Sequence, residues 1–238
     1  MAKLFSSAQE TLARIVKGLM AALVIPLGIG LLLGILDQLE LASGSGQTFR
    51  RWIGWGFVTY VGIHLLLYRP VGVFRASHRI FSTLAVWLFG GQVASVEGGA
   101  GKGKAGKGAK GAAGSQGSTL VAFSPYVIPL YVILVSGAAW LAARWLDRIY
   151  VDGPAGFLLG MTAAFHWLMT ADELQGQRDR WHLETYLLAL GLVFVLTLLL
   201  GGACLPWSVP GFEFTHALGD GLLRAQAIYT AVIHQLFF

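Results

Sequence analysis

The sequence predicts an all-α polytopic membrane protein: about five transmembrane helices, one short re-entrant or buried helix, and an amphipathic C-terminal helix. Three observations carry this reading. Hydrophobic residues make up 55% of the 238 and charged residues 12%, half of the ~25% found in ordinary globular chains. The mean hydropathy is +0.66. Uncharged apolar runs of membrane-spanning length recur along the chain. Such a composition cannot clothe a water-facing surface, which excludes a soluble enzyme with a single polar shell. It is also far too apolar for a disordered chain.

Residues 1–17 form a weakly amphipathic N-terminal segment bearing Lys3, Arg14 and Lys17. Gly18 to Leu36 follows without one charge. This run is too long for a signal sequence and lacks a small-residue cleavage site, so it reads as a retained helix kinked by Pro26 and its glycines. Trp52 to Tyr68 is the second span, bracketed by Arg50, Arg51 and Arg69 and closed by Pro70. The third apolar stretch, Ile80 to Phe89, is only about 13 residues when counted from His78, too short to cross unaided. These elements make up a membrane segment over residues 18–97.

Residues 98–118 are a low-complexity Gly/Lys loop with no apolar side chain larger than alanine, so they cannot build a core. Gly101 to Lys107 has the spacing of a phosphate-binding loop, but Gly108 stands where magnesium needs Ser or Thr. The loop instead reads as a flexible basic segment whose Lys102, Lys104, Lys107 and Lys110 touch anionic lipid headgroups. Residues 119–205 return to the membrane. Val121 to Ala143 is interrupted by Pro125 and Pro129, Pro154 to Met169 starts at a proline suited to a first helical turn, and Thr185 to Leu205 is leucine-rich. Residues 206–238 mix Leu218, Leu222 and Leu223 with His216, Asp220 and Arg224, an amphipathic helix for the membrane surface or the bundle.

Basic residues set the orientation. Lys3, Arg14 and Lys17 favour a cytoplasmic N-terminus, and Arg69, Arg75 and Arg79 favour the same side after two crossings. The net charge of +5 is thus a topology signal and implies no nucleic-acid partner. Cys204, the single cysteine, excludes an internal disulfide and a cysteine-based zinc site.

Ionisable residues within such spans are candidates for function. His64 lies in the second span, His78 and Arg79 open the short helix, and His166 and Thr170 end the fifth segment. Asp172, Glu173, Arg178, Asp179, Arg180 and Glu184 read as a mixed-charge loop near the interface, with Trp167 and Trp181 as interfacial anchors.

The order of landmarks adds a further reading. Ser77-His78-Arg79-Ile80-Phe81-Ser82 runs into Phe89-Gly90-Gly91. After the Gly/Lys loop come Ser124-Pro125-Tyr126 and Pro129, and Phe165-His166 later leads to Gln177 and Asp179. Over roughly residues 64–185 this order resembles a bacterial branch of the site-2-protease-like intramembrane zinc metallopeptidases. The resemblance implies a multi-pass protein of the bacterial inner membrane, a short β-hairpin around Val93 to Val96 and after Ser118, and vestigial metal candidates His78, His166 and Asp179. In that family an H-E-x-x-H helix holds zinc through two histidines on one face and uses the glutamate as general base. Here Arg79 replaces the glutamate and Ser82 the second histidine. Arginine accepts no proton at neutral pH.

The expectation is therefore a non-catalytic, protease-like membrane protein without zinc, serving as a structural, assembly or scaffold subunit beside other integral membrane proteins. An active zinc metallopeptidase with His78, His166 and Asp179 as ligands and Glu173 or Glu184 as base is the alternative. A small transporter or channel component, built on His64, His78 and His166, is a third reading.

Overall fold

Long uninterrupted runs of Leu, Ala, Val and Gly favour helix once backbone groups leave water, because a helix satisfies its own hydrogen bonds. The computed structural model describes residues 2–42, 46–66, 72–73, 75–76, 79–80, 83, 126–176 and 182–237. Its elements are α1 (Ala2–Ala42), α2 (Gly46–Leu66), α3 (Leu130–Ala142), α4 (Arg148–Gly176), α5 (Leu183–Ser208) and α6 (Phe214–Phe237). The described residues are all-α, as the composition requires. They fall into two compact units, residues 1–70 with 128–238 and residues 71–127.

All six helices belong to the first unit. In the second, positions 72–73, 75–76, 79–80, 83 and 126–127 are helical, and the Thr83 hydroxyl donates to the Arg79 carbonyl at 2.8 Å. The Gly/Lys loop and the expected hairpin lie outside the described residues.

Among the described residues, two helices are long and apolar enough to cross a membrane: α1 over Thr11–Ala42, and α5. Their 32 and 26 residues extend about 48 and 39 Å, against a hydrocarbon core of about 30 Å. Pro26 lies inside continuous α1. Outward positions carry Leu19, Leu23 and Ile29 on α1 and Leu192, Leu196 and Leu200 on α5, all exposed. This surface suits lipid rather than water.

Helix α4 departs from expectation. It begins at Arg148, so Pro154 sits inside it rather than at its first position. Tertiary burial explains the extra turn: Val151 and Ala155 are buried, and the Arg148 guanidinium donates to the Ser208 carbonyl at the end of α5, 3.4 Å away. The i,i+4 pair Arg148–Asp152, at 3.9 Å, adds support.

Glycine determines which helices pair closely. A Cβ at Gly30 would stand 2.6 Å from the Ala225 nitrogen, and one at Gly34 would stand 2.5 Å from the Gly221 nitrogen. Backbone therefore meets backbone, with Ala217, Gly221 and Ala225 buried against α1. Gly34 faces Ala217 and Gly221 while Gly30 faces Gly221 and Ala225, so α6 runs antiparallel to α1. The Tyr229 hydroxyl donates to the Leu23 carbonyl farther along the same pair.

The second glycine pair is α2 with α4. A Cβ at Gly56 would overlap the Phe157 carbonyl, and one at Gly160 would overlap the Ile53 carbonyl. These helices run parallel. So do α1 and α5, where Gly191 faces Val24 and Gly202 faces Ile35. Small residues at such crossings are the usual solution in membranes, where apolar burial gives helices no preference for one another over lipid. The core around these crossings includes Leu31, Ile35, Leu39, Phe49, Leu159 and Leu198.

Candidate functional site

The directions of the helices bring polar residues together at one end of the first unit. Because α2 and α4 run parallel in register, His64 near the end of α2 meets Asp172 near the end of α4. Their Nε2 and Oδ2 atoms are 3.2 Å apart, with the His64 side chain 5% exposed and that of Asp172 30% exposed. Asp172 is thus a helical residue pairing with a buried histidine, not part of a mixed-charge loop. Glu173 likewise lies in α4, and Glu184 is in the first turn of α5.

Aromatic rings surround the pair. The Tyr60 ring lies 5.8 Å from that of His64 and packs edge-on to Phe165 at 5.6 Å. Tyr131 of α3 meets Phe165 edge-on from another direction at 5.3 Å. One turn of α2 separates Tyr60 from His64, which places both on the face turned toward α4.

His166 is buried on α4, its Nε2 3.4 Å from the Thr197 hydroxyl of α5. Beside it Trp167 is a packing residue rather than an interfacial anchor. Its ring stacks edge-on between Phe194 at 4.8 Å and Phe57 at 6.0 Å. Here packing between three helices outweighs the general tendency of Trp to sit at the interface.

Several buried polar atoms have no hydrogen-bond partner among the described residues: the Tyr60 hydroxyl, His64 Nδ1, the Ser136 and Thr170 hydroxyls, and Trp167 Nε1. Each orphaned group costs about 1–3 kcal/mol, so a bundle held together only by these contacts would be unstable. The glycine crossings supply the close packing that tolerates them.

Of the three zinc ligands implied by the resemblance, only His166 lies among the described residues. His78 and Asp179 lie outside them, and His166 faces a threonine hydroxyl. No group of three His, Cys, Asp or Glu side chains among the described residues is arranged to hold a metal ion.

At the same end of the unit, Arg14 Nε meets Glu184 Oε1 at 2.6 Å and Lys17 Nζ meets the Thr185 hydroxyl at 3.3 Å. The opposite end is closed by the ion pairs Glu40–Arg50 and Asp37–Arg224. Of the polar cluster, His64, His166 and Thr170 were legible as intramembrane polar residues. Asp172, Tyr60 and Thr197 were not, because their partners lie on helices distant in sequence.

Comparison with models of known families, with characterised proteins and with solved structures finds no match.

Proposed function

We propose that this chain is a non-catalytic, multi-pass integral membrane protein, a structural or assembly subunit that binds other membrane proteins. One observation carries the reading: helices close-packed backbone to backbone through glycine, with large apolar side chains turned outward on both candidate spans. That combination is a membrane solution, since a water-soluble bundle would keep its outer face polar. In this reading α2, α4 and the stretch Val121 to Ala143 complete a bundle of about five spans in a bacterial inner membrane, with the N-terminus in the cytoplasm.

The His64–Asp172 and His166–Thr197 contacts act as interhelical latches that select one helix register, a use for which buried polar pairs are well suited. Arg79 and Ser82 in place of a general base and a zinc ligand support the non-catalytic side of the reading. The Gly/Lys loop binds anionic headgroups.

The test combines three measurements on protein from native membranes. The reading expects resistance to alkaline extraction, a reproducible hetero-complex after cross-linking, and no stoichiometric zinc. About one zinc per chain, lost in His78→Ala, would overturn the non-catalytic assignment and revive the metallopeptidase. Recovery of this chain alone would overturn the subunit assignment.

A further inference from the structure

Helix α6 lies at a depth that its polar residues do not suit. It runs antiparallel along α1, with Ala217, Gly221 and Ala225 against Gly30 and Gly34 and Tyr229 bonded to the Leu23 carbonyl. These contacts fall within Gly18 to Leu36, the charge-free run of α1. Gly221 sits between Gly30 and Gly34, so Asp220 stands inside the end of that run. Gln226 follows Ala225 and is level with its middle. Whatever depth α1 takes in the membrane, this part of α6 shares.

The face of α6 turned away from α1 is a shallow groove lined by His216, Gly219, Asp220, Leu223 and Gln226 among others. Its polar neighbours have partners of their own. Arg224 pairs with Asp37, and His216 with Glu213 at 3.2 Å. Asp220 makes no ion pair or hydrogen bond among the described residues. Gly219 has open space where a Cβ would stand, which lets another backbone come close. An unmatched carboxylate and an exposed amide at this depth are expensive against lipid tails, so the face requires a polar occupant.

A second copy does not fit. Two copies inserted the same way, related by an axis along the membrane normal, would bring α6 against α6 in parallel and set Asp220 against Asp220. Resting on the subunit reading above, we infer that the outer face of α6 is the docking surface for a transmembrane helix of another protein. That helix carries a cationic side chain at the depth of Asp220, while Gly219 admits its backbone and Gln226 adds a hydrogen bond.

The test uses the full chain in phosphatidylcholine vesicles, with photoreactive benzoylphenylalanine replacing exposed Leu223. The probe is a biotinylated poly-leucine transmembrane peptide with one lysine inside each end of its apolar run. Ultraviolet adducts should exceed those of a lysine-free peptide about tenfold and fall by a similar factor in Asp220→Asn. The same photoprobe at Leu196 on α5 should show no preference between peptides. The isosteric variant is checked for an unchanged melting temperature, which shows that α6 remains docked.

Equal adducts with both peptides, none with either, or full retention in Asp220→Asn would overturn the inference. Chain-to-chain adducts without peptide would overturn it in favour of a second copy. Zinc content separates this outcome from the wider reading: lysine-dependent adducts on a zinc-loaded chain would sink the non-catalytic assignment and leave the docking surface standing.

Discussion

The pairs α1/α6 and α2/α4 solve one problem in two ways. Both bring backbones together at glycine: Gly30 and Gly34 meet Gly221 and Ala225 in one, and Gly56 and Gly160 meet Phe157 and Ile53 in the other. The α2/α4 pair then closes over polar groups, enclosing His64 with Asp172 and the Tyr60 ring. The α1/α6 pair keeps its seam to small residues and turns Asp220 and Gln226 outward. The difference teaches that the polar groups of α2/α4 are paired across their own seam, whereas Asp220 and Gln226 of α6 lie away from theirs.

The comparison breaks first at the glycines. Gly34→Leu and Gly160→Leu should each cost at least about 3 kcal/mol, because the added atoms meet backbone that cannot rotate aside. Folded yield in detergent and thermal melting would register both, and wild-type melting in either variant would refute the backbone contact. A smaller loss is expected for Asp172→Ala, about 1–3 kcal/mol, since it strands both nitrogens of buried His64. Asp172→Asn should recover much of that loss by restoring a hydrogen-bond partner, which the same melting series would show.

Thr197→Val is expected to cost about 1 kcal/mol or less, because its contact to His166 is long at 3.4 Å. A larger change would mean that His166 depends on Thr197 more than this distance implies. Smallest of all is Arg14→Gln. The Arg14 side chain is 51% exposed, so melting should scarcely change, and any shift should shrink further with added salt.

Much of the fold was legible in the sequence because apolar runs are local signals. Gly18 to Leu36 and Thr185 to Leu205 fall within α1 and α5, and the stretch from Phe214 onward is helical as its spacing suggests. What was not legible depends on partners distant in sequence. Pro154 looked like a helix start until the burial of Val151 and the reach of Arg148 to Ser208 extended α4 backward. Asp172 looked like one loop charge among several until parallel packing set it opposite His64. Trp167 looked like an anchor until Phe57 and Phe194 enclosed it. Of the three metal candidates His166 alone lies among the described residues, and it faces Thr197.

The central claim is that α6 shares the membrane depth of α1. Single-cysteine chains in a Cys204→Ser background, held in native vesicles, test it with a membrane-impermeant maleimide. Gln226→Cys should react as slowly as Ile29→Cys on α1, and at least about tenfold more slowly than Glu213→Cys beyond the start of α6, since the bilayer core holds no water for the thiolate. Labelling of Gln226→Cys as fast as that of Glu213→Cys would put α6 on the aqueous surface and contradict the account.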